Sequence, residues 1–143
     1  MRHRRAHLAL LLVVAGCRGG AVPGSDAAAA ARSRTDVTVT DISLGRSLRA
    51  DRRIAEPAAA FAPADTVYAS VVTEGTGPDG VLKARWTYEG SRVLAEPALT
   101  IAPRATTVNE FHISKGDGLP RGAYEVEVFL DGAAVGKRRF SVR

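Results

Sequence analysis

From position 36 onward, apolar and polar residues alternate with period two. Val37 and Val39 are separated by Thr38 and Thr40, and then Ile42 and Leu44 fall on the opposite parity. Strand side chains alternate between faces, so the inward face flips near Asp41. That predicts a β-bulge or a strand that changes sheets. Thr66 to Thr73 is rich in β-branched and aromatic residues and predicts a buried strand. Val81 to Glu89 alternates cleanly, with Leu82, Ala84, Trp86 and Tyr88 on one face and Lys83, Arg85, Thr87 and Glu89 on the other. Gly90-Ser91 predicts a two-residue hairpin turn, and Arg92 to Ile101 returns as a strand broken by Pro97.

Thr106 to Ser114 places Phe111 and Ile113 on one face and Glu110, His112 and Ser114 on the other. Tyr124, Val126, Val128 and Leu130 alternate with Glu125, Glu127 and Phe129. Asp131-Gly132 is a tight-turn pair, and a last strand carries Phe140 and Val142. Gly45 to Pro63 reads less clearly. Ile54 and Phe61 could each anchor a short strand, while Pro57 and Pro63 argue against a central one. No amphipathic helix pattern occurs. About seven strands predict an all-β fold, an antiparallel β-sandwich over residues 36–143.

Before position 36 the pattern is different. Arg2, Arg4 and Arg5 precede an unbroken apolar run from Leu8 to Ala15. That run is far short of the roughly 20 residues a spanning helix needs. A basic start, a short apolar run and small residues before a break predict a secretory signal peptide over residues 1–16. Val14, Ala15 and Gly16 lead into Cys17, the one cysteine of the chain. This resembles a bacterial lipobox. The resemblance implies cleavage before Cys17 and acylation of its thiol, with the membrane reached through that lipid. Two or three acyl chains anchor stably, since each buried methylene contributes about 0.8 kcal/mol. Arg18 stands where an aspartate often retains lipoproteins at the inner membrane, so the resemblance implies a cell-envelope, outer-membrane address in a diderm bacterium. Residues 17–35 (Gly19, Gly20, Pro23, Gly24, Ser25, then Ala27 to Ala31) show no apolar period and predict a flexible tether spanning about 25 Å.

Two residues sharpen the sandwich. Trp86 falls on the inward face of the third predicted strand. Tyr124 opens the sixth, in Gly122-Ala123-Tyr124-Glu125-Val126. Tyr124 resembles the tyrosine corner of immunoglobulin-like domains, in which the phenol hydrogen-bonds back to the preceding loop. Val126 stands where such domains carry a cysteine, and Val71 or Ala69 would replace its partner. Apolar packing against Trp86 then takes the disulfide's place. Residues 65 to 143 also resemble immunoglobulin-like modules of bacterial envelope proteins, in the aromatic strand, the Gly-x-Tyr-x-Val-x-Val run, the Asp-Gly turn and the final Phe140-Ser141-Val142. Such a fold hosts many roles and does not itself name one.

Charge and chemistry narrow the function. The chain has 143 residues, with 20 basic against 15 acidic side chains, a net charge of +5. Without the first 16 residues the balance is 17 against 15, so no nucleic-acid partner is indicated. A single cysteine excludes a disulfide framework, a zinc cluster of cysteines and a CxxC pair. His112, the one histidine left after cleavage, has no second histidine or free cysteine to complete a metal or catalytic set. The Asp79-Gly80, Asp117-Gly118 and Asp131-Gly132 pairs lack calcium-loop spacing and read as turns. No metal and no cofactor is implied.

Glu125 and Glu127 share one strand face. Lys83 and Arg85 are expected on one side of them and Lys137 and Arg139 on the other, so cross-strand ion pairing explains them better than a catalytic carboxylate pair. Phe129 is expected outward among those charges, as the centre of a possible interaction face. Arg46, Arg49, Arg52 and Arg53 form a basic stretch that a solvated loop explains. The expectation is a non-catalytic, lipid-anchored envelope protein that binds an envelope protein partner or serves structurally. A carbohydrate- or surface-polymer-binding module is the alternative.

Overall fold

The computed structural model describes residues 36–143. Nine strands follow in chain order: β1 (Thr38–Gly45), β2 (Ala60–Phe61), β3 (Val67–Glu74), β4 (Gly80–Tyr88), β5 (Arg92–Ala95), β6 (Ala98–Ile101), β7 (Thr107–Ile113), β8 (Gly122–Leu130) and β9 (Ala133–Val142). They form two sheets. The smaller has the order β1-β3-β7; the larger has β2-β9-β8-β4-β5, with β6 also on β4. Every pairing is antiparallel except β2 with β9, which is parallel. Two packed sheets joined in this way make an immunoglobulin-like sandwich.

The alternation explains the core. Leu82, Ala84, Trp86, Val126, Val128, Val67, Ala69 and Val71 are fully buried between the sheets. Val126 lies opposite Trp86 on β8, and Val71 and Ala69 belong to the same buried cluster. Aromatic rings extend this core. Phe140 stands edge-on to Trp86 at 6.0 Å and to Phe61 at 5.4 Å, and it stacks on Tyr124 at 5.0 Å.

The parity flip at Asp41 is a bulge. The β1–β3 register shifts between Val39 and Asp41, which leaves Thr40 as the extra residue and turns Ile42 and Leu44 inward. The chain then changes sheets between β1 and β2. The connecting excursion is a small turn in which Leu48 bridges Ile54 and Gly45 bridges Pro57, with Ile54 buried.

Two details differ from the sequence reading. The β4–β5 turn has three residues, Glu89, Gly90 and Ser91, because Tyr88 pairs with Arg92. The count of about seven strands rises to nine because Glu96-Pro97 splits one predicted strand into β5 and β6, and because Ala60–Phe61 forms a two-residue strand. Asp131-Gly132 does form a two-residue turn, both residues at positive φ (49° and 84°), the geometry that follows the twist of a hairpin.

Candidate interaction face

The outer face of β4, β8 and β9 collects the charged residues predicted for it. Arg85 lies opposite Glu127, which lies opposite Lys137; Thr87 lies opposite Glu125, which lies opposite Arg139. Lys83 departs from the expectation. Its cross-strand partner is Phe129, not a glutamate, because Glu127 and Glu125 sit one and two same-face steps before Phe129 on β8.

The ion pairs are uneven. Arg139 Nε donates to Glu125 Oε2 at 2.9 Å, and Lys137 Nζ reaches the same oxygen at 3.7 Å. Arg85 Nη1 is 4.0 Å from Glu127 Oε2. Its main partner is Glu96, through a hydrogen bond from Nε. That bond holds the Arg85 guanidinium above and the Glu96 carboxyl below their ordinary ranges. Glu96 was invisible to the alternation because it sits in the break between β5 and β6; Pro97 was the sign of that break.

Phe129 is half-buried. Lys83 Nζ lies 5.0 Å and Arg85 Cζ 4.9 Å from its ring centre, a cation–π arrangement on both. Val81 and Val93, 48% and 50% exposed, lie on the same outward face. The face therefore has an aromatic centre, cations around it and exposed aliphatic flanks.

Trp86 and Tyr124 build the frame behind that face. Tyr124 Oη donates to Pro120 O at 2.7 Å, which closes the corner, and burial raises its phenol above the ordinary range. A second tyrosine, which sequence reading missed, joins it: Tyr88 Oη donates to Arg121 O at 3.0 Å. Glu89 Oε1 accepts from the Ala123 N–H at 2.8 Å. Gly122, at φ 148°, passes between them; a Cβ there would come within 2.2 Å of Glu89 Oε1. The Trp86 Nε1 has no hydrogen-bond partner among the described residues.

The other polar residues make local contacts, with Ser70, Glu110 and His112 neighbours on the outer face of β3 and β7. His112 is exposed, with Nδ1 3.8 Å from Glu110 Oε1 and its ring beside Tyr68. Ser70 lies opposite Glu110, but it is buried and its Oγ has no partner among the described residues. Asp131 caps the turn by accepting from the Val81 N–H at 2.7 Å, while Asp117 pairs with Lys115 at 2.7 Å. Among the described residues no group of three or more histidine, cysteine or carboxylate side chains could hold a metal. Arg46 is fastened to Asp65 and Ala60 O, Arg53 lies 3.7 Å from Asp51, and Arg49 reaches Ala55 O. Cys17, Val14, Ala15 and Gly16 lie outside the described residues. No described helix is long and apolar enough to cross a membrane.

Compared by sequence, the chain matches no protein-family model and no curated protein. Solved structures match its fold. An immunoglobulin-like protein of Pseudomonas aeruginosa aligns over 78% of this chain and 99% of its own, at 12% identity and TM-score 0.53. A Pseudomonas fluorescens alkylpurine DNA glycosylase, solved bound to DNA, aligns over 76% of this chain at 18% identity and TM-score 0.52. A β-glucosidase from intestinal bacteria aligns over 76% at 17% identity and TM-score 0.50. The chain spans 31% of the glycosylase and 16% of the glucosidase. At these identities the likeness is one of fold.

Proposed function

We propose that this is a non-catalytic interaction module of the bacterial cell envelope, anchored by lipid on Cys17 and docked to an envelope protein through the outer face of β4, β8 and β9. The observation that carries the reading is Phe129, held at the centre of that face beneath Lys83 and Arg85. Cations already committed to Glu96 and Glu125 leave little charge to reorder when a partner arrives, which lowers the cost of binding.

A mild-detergent membrane pulldown with mass spectrometry, wild type beside Cys17→Ala and Phe129→Ala, tests this. The expected result is an acylated Cys17 peptide and one enriched envelope protein that Phe129→Ala loses. Cleaved, unlipidated protein in the soluble fraction would sink the anchor. Retention on isolated cell-wall polymer, with no protein enriched, would move the assignment to polymer binding.

A further inference from the structure

The two sheets do not cover each other. β5 and β6 lie end to end along β4, so the larger sheet is five strands wide, while the smaller is three. On one side the excess is covered by β1 and the excursion after it. On the other side, the larger sheet overhangs β7. Leu99 lies opposite Leu82 and Ala95 opposite Trp86, so both face inward, yet both are only half-buried, as is Leu94. At the C-terminal end of β7 an open cleft of about 400 Å³ is lined by Leu94 and Ala95 from β5, Ile113, and Leu119 and Pro120, while Leu99 lies outside it, further along the same overhang.

β7 ends its sheet, so one row of its backbone donors and acceptors faces this gap. Such an edge templates an added strand. The same strand carries Asn109, 7% exposed, whose Nδ2 has no acceptor among the described residues. A carbonyl on a neighbouring strand would satisfy it. Arg92 and Lys115 line the cleft where β7 ends; Arg92 shares the inward face with Tyr88, and Lys115 is bonded to Asp117 at 2.7 Å, a contact that an acidic segment would share.

We propose that an extended segment of a partner protein adds to β7 as the fourth strand of the smaller sheet, antiparallel, with apolar side chains over Leu94, Ala95 and Leu99 and acidic residues at its N-terminal end. Antiparallel pairing puts that end beside the C-terminus of β7, hence beside Arg92 and Lys115. The added strand completes the layer that the larger sheet requires, and the two cations set its direction. This rests on the reading of the protein as an interaction module but uses a different surface from the Phe129 face.

The test uses the full chain and a synthetic peptide in which Asp-Glu precedes alternating valine and threonine over the seven-residue length of β7. Fluorescence anisotropy should show saturable binding, and hydrogen exchange should slow at Thr107–Ile113. A Lys-Lys version should bind at least about tenfold more weakly. In the Arg92→Glu, Lys115→Glu double variant, both residues being exposed, that preference should reverse, an outcome that loss of folding cannot imitate. No binding of the acidic peptide, or binding that the charge reversal leaves unaltered, overturns the proposal. So does full protection of β7 before any peptide is added, since the chain's own residues would then fill the slot. Protection that instead appears around Phe129 overturns the strand-addition site while leaving the proposed function intact.

Discussion

The two long edges of this sandwich are built from the same kinds of residue and end up in opposite states. At the β1–β9 edge the chain stitches the sheets together. Arg138 Nε donates to Ile42 O at 2.7 Å, and Gly136 leaves room for Ile42, whose Cδ1 would lie 2.7 Å from a Cβ there. β2 crosses to the larger sheet, where Ser141 N–H donates to Ala59 O and Arg143 N–H to Phe61 O, both at 2.9 Å. Phe61 is 2% exposed. At the β5–β7 edge no strand crosses, and Leu94 and Leu99 remain half-buried. The difference teaches that strand switching, more than hydrophobicity, decides which side of a small sandwich closes.

The largest expected contrast comes from truncating one apolar residue at each edge. Phe61→Ala removes a ring packed on Phe140 and beneath Arg46, whose guanidinium lies 5.2 Å from its centre. It should cost about 3–5 kcal/mol in denaturant unfolding. Leu99→Ala should cost about 1 kcal/mol, because solvent already reaches that side chain and little cavity is left. Equal losses would mean that the β5–β7 edge is as closed as the other in solution.

How much of this was legible follows from the same contrast. β4 and β8 are long and alternate strictly, so Trp86, Val126 and Val128 could be placed inward from parity alone. The bulge at Thr40 was legible too, because an inserted residue must shift the parity of Ile42 and Leu44. The closed edge was not, since β2 has two residues and its pairing to β9 is a long-range parallel contact with no local pattern. The open edge was hidden for a different reason. Arg92 to Ile101 read only as a strand broken by Pro97, and the inward facing of Ala95 and Leu99 comes from their register with Trp86 and Leu82. On the candidate face, the residue types could be read but the partners could not. The register sets Lys83 against Phe129 and the strand break delivers Glu96 to Arg85, and neither follows from spacing.

Tyr124 joins the two edges, so it offers the next largest effect. Its ring lies 5.0 Å from Tyr88, which borders the open cleft, and 5.0 Å from Phe140, which packs on Phe61. Tyr124→Phe keeps the rings and removes the bond to Pro120 O. A loss of about 1.5 kcal/mol is expected. The raised phenol pKa adds a pH signature. Burial chiefly, with Tyr88 and Glu89 behind it, disfavours the phenolate in the folded state. The unfolded phenol ionises first as pH rises, so this contribution is complete below about pH 10 and is lost above it. Wild type should therefore destabilise more steeply than Tyr124→Phe in alkaline unfolding series. Parallel curves would assign the corner's effect to packing alone.

The smallest effect belongs to Asp65, which fastens the closed edge from outside. Its Oδ2 accepts from the Ala62 N–H at 2.8 Å and from Arg46 Nε at 2.7 Å. Those bonds, the backbone one first, hold its carboxyl below the ordinary range. A depressed folded-state pKa stabilises above the unfolded value, about 3.9, and the contribution disappears as pH falls through the lower folded value. The side chain is exposed enough for solvent and salt to screen most of the pairing. Asp65→Asn should thus lower the melting temperature slightly near neutral pH, by less in high salt, and not at all once the pH is well below the carboxylate range. Hydrogen exchange should place the loosening at Ala60 and Phe61 and leave β7 unaltered. A neutral-pH loss that persisted unchanged into acid would show that the Ala62 turn geometry, not the carboxylate charge, holds β2 against β9.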